Sequence, residues 1–239
     1  MSWRATEFEF RNRFWIISGT FCLGFSCSIW DHQIVSVAIA RMIVGGLNSP
    51  LALGWMRVIL ALGALIVTLA ALVRSWAAAY LHSSVVHDTE LHSDRLVADG
   101  PYRRLRNPLY LGNILLAVGV GLMASRPGFV FLVAATVLYV YRLILREEAS
   151  LLESQGESYR RYFETVPRLW PSLRPRVPGS GARPNWADGI FGETFMWSIA
   201  IGMAVLDVTL RVLHFWIIMS AGFAVYFVHA RLRKRSAAP

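Results

Sequence analysis

The chain has 239 residues, is 55% hydrophobic and only 16% charged, and has a mean hydropathy of +0.46. Soluble domains carry about 25% charged residues, so this composition excludes an ordinary soluble enzyme, and its apolar blocks are long enough to cross a hydrocarbon layer of about 30 Å. The formal net charge of +9 does not call for nucleic acid, because the arginines cluster beside apolar blocks, where they act as topology signals and meet lipid headgroups.

In chain order, apolar blocks predict membrane spans at residues 14–30, 51–73, 109–124, 129–145, 190–206 and 208–228. The expected fold is therefore all-α, a polytopic bundle of about six transmembrane helices. Residues 34–47 form a run too short to span and interrupted by Arg41, better suited to a re-entrant or interfacial helix. The first block follows an Arg-rich stretch but ends in bulky residues without a small-x-small cleavage site, so it reads as a span rather than a removed leader. Cys22 and Cys27 both lie inside it, which suggests neither a disulfide framework nor a metal site.

With six spans and the N-terminus inside, the arginine clusters at residues 4–13, 95–106, 160–183 and 231–235 all fall on the cytoplasmic side. Both termini are then expected in the cytoplasm. Arginine usage that far exceeds lysine usage suggests a GC-rich bacterial gene, and so an inner membrane. The chain divides into an N-terminal hairpin (1–75), a central core (76–177), a linker (178–189), and a C-terminal hairpin with a basic tail (190–239).

The central core holds the chemistry. Residues 109–145 form a tight hairpin that reverses at Arg126-Pro127-Gly128. Both its ends must emerge on one face of the membrane. That brings the stretch DGPYRRLRNPLYLG, residues 99–112, close to Arg142, Arg146, Glu147 and Glu148 at the far end. Arg142 and Arg146 share a helix face at i and i+4, where like charges repel, so the pair makes best sense beside an anion. Glu147 and Glu148 can neutralise part of that charge or bind a cation such as a ligand ammonium. Pro108 stands at a favoured first helical position, and the free backbone N–H groups beside it can receive an anionic group. Residues 151–163 place Leu151, Leu152, Tyr159, Tyr162 and Phe163 at helical intervals, predicting an amphipathic helix followed by a Pro-rich strap.

Other chemistries find no support. His82, His87 and His92 are five apart, which turns successive side chains by about 140° on a helix, so they cannot share one face and no metal is expected. There is no nucleophile elbow, no P-loop and no strand leading into a glycine fingerprint.

Three ordered motifs resemble the isoprenylcysteine carboxyl methyltransferase family, which is grouped with the phospholipid methyltransferases: L-V-x-x-G-P-Y-R-x-x-R-N-P-L-Y-L-G, then R-E-E-x-x-L, then G-x-x-Y-x-x-Y-x-x-x-V-P-R. The resemblance covers roughly residues 90–177. It implies an integral-membrane enzyme that uses S-adenosylmethionine, with a cofactor pocket on the cytoplasmic side and a lipidic or small hydrophobic acceptor. By the same resemblance Asp94, Arg95, Leu96, Val97, Tyr102, Asn107, Pro108, Leu109 and Tyr110 would line that pocket, Glu147 or Glu148 would hold the cofactor's charged amino-acid end, and Arg142 or Arg146 would face the acceptor's anionic group. Asn107 departs from the histidine common at its position; it still forms hydrogen bonds but cannot titrate.

A carboxylate acceptor is already ionised at neutral pH and needs no general base. A phospholipid amine or small thiol would have to lose a proton first, with Tyr102, Tyr110, Glu147 and Glu148 as the nearby groups. A non-enzymatic membrane protein that retains the fold is the contrasting class.

Overall fold

The computed structural model describes residues 3–46, 51–86 and 98–236, and among these the regular structure is helical. The helices are α1 (Glu7–Arg11), α2 (Arg13–Ser26), α3 (Val35–Val44), α4 (Leu51–Val86), α5 (Pro108–Gly121), α6 (Arg126–Thr165), α7 (Trp186–Gly192), α8 (Thr194–Thr209) and α9 (Val212–Ser236).

Two of them are long and apolar enough to cross a membrane, Leu51–Leu81 within α4 and Arg126–Thr165, and a third span is reached only if α7 and α8 are taken together. Among the described residues, length and composition thus support two or three spans and do not confirm six. The other apolar helices are short: α5 has 14 residues, about 21 Å at 1.5 Å per residue, against a hydrocarbon thickness of about 30 Å. The segment expected to lie in the interface is α3, at 10 residues.

Side-chain size is sorted along α4 as a lipid solvent demands. Leu62, Leu65, Leu69 and Leu72 are exposed, whereas Ala64, Val67, Ala70 and Ala71 are buried. Small residues inward allow close backbone approach where lipid outside is as apolar as leucine. With the matching match of backbone donors and acceptors inside each helix, this supports an integral membrane protein.

Contacts divide the chain into two compact units. One comprises Asn12–Ala71, Asn113–Leu138 and Thr194–Pro239. Its core joins Ala64 and Val67 of α4, Leu116 and Val120 of α5, Met196, Ile199 and Met203 of α8 and Met219 of α9. The α5–α6 reversal falls at residues 122–125, one step earlier than the sequence suggests. Arg126, Pro127 and Gly128 instead form the first turn of α6, where the Ser125 hydroxyl accepts the Gly128 N–H at 3.3 Å, and proline is tolerated because first-turn N–H groups have no helical partner. The extended residues before α3 clasp this reversal: Val35 N–H donates to Ala124 O at 2.9 Å, and Arg126 N–H to Gln33 O at 3.2 Å.

The other unit comprises Met1–Arg11, Leu72–Gly112 and Tyr139–Glu193. Here α6 runs directly from its apolar part into the stretch expected to be a separate amphipathic helix, broken only at Gly156 (φ 55°, ψ −127°). Beyond that break Tyr159, Tyr162 and Val166 form a buried cluster with Ala98, Leu151, Leu152, Phe163 and Val177 around it. The strap after α6 is stitched to residues 103–106 by backbone bonds: Arg106 N–H to Pro167 O (2.9 Å), Ser172 N–H to Arg104 O (3.0 Å) and Arg176 N–H to Arg103 O (2.7 Å).

Candidate functional site

Every element of the candidate site lies within this second unit. The turn before α5 is a short 3-10 helix, Gly100–Arg103, which buries Pro101 and Tyr102. The Tyr102 carbonyl accepts the Tyr162 hydroxyl at 2.9 Å, so the aromatic cluster of α6 holds the turn from below. Burial, reinforced by the charge of Glu147, pushes the Tyr102 hydroxyl above its ordinary pKa. It stays protonated at neutral pH.

Glu148 is the most enclosed charge. Its side chain is 3% exposed, and Arg106 beside it is 7% exposed. Arg106 Nε donates to Oε1 at 2.9 Å, Asn107 Nδ2 to the same oxygen at 3.1 Å, and Arg168 Nε to Oε2 at 2.9 Å. Arg106 also lies over the Phe163 ring, 4.2 Å from its centroid. Asn107 completes the knot by donating to the Arg168 carbonyl at 3.2 Å. Negative charge is favoured beside a helix N-terminus, and the charge next to the start of α5 is the protein's own Glu148. Both of its oxygens are committed, so it acts as a strut between α5, α6 and the strap.

Glu147 is placed differently. It accepts the Tyr110 hydroxyl at 2.9 Å and lines an open cavity of about 1030 Å³ together with Arg142, Arg146, Arg4, Glu7 and Phe10. The two ends of the α5–α6 hairpin thus meet as their spacing implied, and the adjacent glutamates face different surroundings because successive helical residues turn by about 100°. Arg142 and Arg146 share one face with this cavity. Arg142 Nη2 donates to both Glu9 oxygens, at 2.7 and 2.9 Å, and Arg146 pairs with Glu7 and donates to Ala5 O at 3.0 Å. The Nε of Arg142 is buried without a hydrogen-bond partner.

Pro108 is fully buried, and the Leu109 carbonyl accepts from Arg74 Nη1 at 3.1 Å. Asp94, Arg95, Leu96 and Val97 lie outside the described residues, as do His87 and His92. Among the described residues no group of three His, Cys, Asp or Glu side chains is arranged to hold a metal ion.

Six charged residues of the site were given no role by pattern reading. Arg106 and Arg168 both stand in the quoted motifs, but nothing there marks them as partners of Glu148. Arg74 makes a two-pronged pair with Glu193, at 2.7 and 2.9 Å, across 119 positions. Glu7 and Glu9 sit in Thr6-Glu7-Phe8-Glu9, where Thr6 N–H donates to Glu9 Oε2 at 2.6 Å and Glu9 N–H to Thr6 Oγ1 at 3.2 Å. That reciprocal pair is a capping box, and the T-x-x-E spacing was the available signal.

Residues 57–157, which include Tyr102, Asn107, Tyr110, Arg142, Glu147 and Glu148, match the phospholipid methyltransferase family. The family is one of integral-membrane methyltransferases related to the isoprenylcysteine carboxyl methyltransferases. Over 146 residues, 61% of the chain, it is also 30% identical to the nickel-cobalt-cadmium resistance protein NccN of Alcaligenes xylosoxydans xylosoxydans, covering 64% of that protein. Over 115 residues, 48% of the chain, it is 30% identical to the cobalt-zinc-cadmium resistance protein CzcN of Cupriavidus metallidurans, covering 50% of it. The matches thus span between half and two thirds of these relatives' length. No solved structure matches the chain. The matched segment ends before the strap and excludes the N-terminal helix, so Arg168, Glu7 and Glu9 reach the site from outside it.

Proposed function

We propose that the protein is an integral-membrane methyltransferase that uses S-adenosylmethionine and acts on a lipidic or small hydrophobic acceptor carrying a carboxylate. The observation that carries this reading is Glu147, which accepts the Tyr110 hydroxyl and lines a cavity that also presents Arg142 and Arg146, within the segment that matches the phospholipid methyltransferase family.

The donor set fits the cofactor. A carboxylate held by a tyrosine hydroxyl suits a cationic amino-acid end, and a guanidinium with an unpartnered buried N–H suits an anion. Glu147 would hold the cofactor, with Tyr110 fixing its carboxylate, while Asp94, Arg95, Leu96, Val97, Tyr102, Asn107, Pro108 and Leu109 would border the pocket. When bound, S-adenosylmethionine supplies an activated methyl group on a cationic sulfur. The chain's part is to align the acceptor and exclude water. Arg142 and Arg146 would grip the acceptor's carboxylate, which is ionised at neutral pH. No protein base is then needed, which agrees with a Tyr102 hydroxyl whose pKa burial has raised. The flanking arginine clusters support a cytoplasmic position for this end of the hairpin, in a bacterial inner membrane.

The test is binding of S-adenosylmethionine to the purified protein in detergent. Saturable binding that Glu147→Gln abolishes is expected; no binding at millimolar cofactor overturns the proposal. Labelled methyl donor incubated with lipid extracts, with and without the protein, then identifies the acceptor, and label in an amine or thiol product would replace the carboxylate assignment. Arg142→Gln and Arg146→Gln should keep cofactor binding and lose turnover.

A further inference from the structure

The arginine pair assigned above to the acceptor already holds two carboxylates, and both come from the N-terminal segment. Glu9 places both oxygens on Arg142 Nη2, and Glu7 pairs with Arg146. The contact is built rather than incidental. Ala5, only 3% exposed, donates its N–H to the Arg142 carbonyl at 3.1 Å and accepts from Arg146 Nη1 at 3.0 Å. The Tyr139 hydroxyl donates to the Glu9 carbonyl at 2.7 Å. The capping box fixes Glu9 from its other side, so its carboxylate is held by two donors, the Arg142 guanidinium and the Thr6 N–H. Phe10, Glu7 and Thr6 line the same cavity as Glu147.

The two ion pairs remain partly open to solvent. Arg142 and Glu9 are 33% and 26% exposed, Arg146 and Glu7 31% and 75%. Ion pairs of that exposure are weak and exchange readily for a competing anion. The segment therefore has a firm hinge, at Ala5 and Tyr139, and a yielding contact, at the two carboxylates.

We propose that residues 4–10 are a specificity-determining gate on the acceptor site, with Glu9 and Glu7 standing where the acceptor's carboxylate binds. The proposal rests on the methyltransferase reading and deepens it. A carboxylate-bearing acceptor opens the gate by replacing Glu9 on Arg142, one carboxylate for another. A neutral hydrophobic molecule has nothing to offer the arginines and leaves the gate shut. The free protein meanwhile keeps the pair of like charges at i and i+4 compensated.

The experiment uses the full chain in nanodiscs of zwitterionic lipid, with a fluorescent long-chain fatty acid and its methyl ester as probes. If the closed gate dominates, removing it recovers the affinity lost to the closed population. The double substitution Glu7→Gln with Glu9→Gln should then tighten fatty-acid binding by about tenfold and leave the ester unchanged. Hydrogen exchange of a peptide covering residues 3–10 should rise when the fatty acid binds to the unsubstituted protein, and should not respond to the ester. An unchanged or weaker fatty-acid affinity in the double variant, or exchange that saturating fatty acid does not move, overturns the gate. Tyr139→Phe keeps both carboxylates and releases one anchor; it should shift affinity in the same direction by a smaller factor, and no gain there also counts against the gate. Cofactor binding measured in parallel separates the two claims. A fatty-acid response without S-adenosylmethionine binding keeps the gate and removes the enzyme, whereas cofactor binding without any fatty-acid response does the reverse.

Discussion

Adjacent glutamates with opposite surroundings make a sharp prediction. In Glu148→Gln the side chain keeps its shape but loses its charge and one acceptor. Its carboxylate now accepts from Arg106, Asn107 and Arg168, and an amide turned either way sets its own NH2 against at least one of those donors. Arg106, 7% exposed, is left as a buried cation without its counter-charge. Removing one partner of a buried pair costs about 3–5 kcal/mol, which for a chain of this size lowers the midpoint of thermal unfolding by on the order of 10 °C. Glu147→Gln, on a half-open cavity wall, should change stability by less than about 1 kcal/mol while losing S-adenosylmethionine binding. Thermal melts of both variants in the same detergent, with cofactor titrations alongside, make the comparison. A Glu148→Gln protein that melts within about 2 °C of the parent, or a Glu147→Gln protein that loses as much stability, would refute the division of labour between them.

Other outcomes follow from the same geometry. Gly100 has φ +56°, and a Cβ there would run into the Tyr80 ring, so Gly100→Ala should cost at least 1 to 3 kcal/mol, on the order expected for a strained backbone, readable as a lower melting midpoint. Breaking the Arg74–Glu193 pair, 20% and 9% exposed, by Glu193→Gln should destabilise by about 2–3 kcal/mol; a melt equal to the parent's would show that Arg74 finds compensation elsewhere. The Glu9 carboxyl is held below its ordinary pKa, chiefly by the Thr6 N–H and further by the Arg142 guanidinium, against partial desolvation. A lowered folded-state value means that the contact is stable above the ordinary glutamate range and is lost as pH falls through Glu9's own value. A spin label at Phe8→Cys, in a protein lacking Cys22 and Cys27, should gain mobility only at pH below the ordinary glutamate range, with Arg4, Glu7, Arg146, Glu147 and Glu153 as the other charges around the same cavity. Mobility rising already at pH 6 would contradict that sign.

Local periodicity made much of this molecule legible. Apolar blocks marked α4 and the apolar half of α6, Pro108 marked the start of α5, and the short reversal forced Tyr110 and Glu147 together because both ends of a hairpin must return to one side. The site's finer wiring was not legible. Which arginine meets which glutamate depends on packing between segments far apart in the chain, as with Arg142 and Glu9 or Arg74 and Glu193. Glu147 and Glu148 look equivalent as letters, and only the arrival of Arg106, Asn107 and Arg168 around one of them tells the pair apart. Six spans are not confirmed among the described residues, because hydropathy registers that a block is apolar but not that α5, at 14 residues, stops short of the membrane's thickness. The turn residues Arg126-Pro127-Gly128 misled because proline and glycine serve a helix's first turn as well as a loop.

The strap's stitching to residues 103–106 bears on how the protein is made. Arg106 and Asn107 leave the ribosome some sixty residues before Arg168, the last of the groups that grip Glu148, and the backbone bonds from Arg104 and Arg103 wait for residues 172 and 176. The hairpin of α5 and α6 is therefore translated before the pieces that lock its polar end exist. Until Arg168 is made, the carboxylate at position 148 has two of its three donors. The polar end of the hairpin is thus locked late in biosynthesis, as a closing step that waits for residues 168–176.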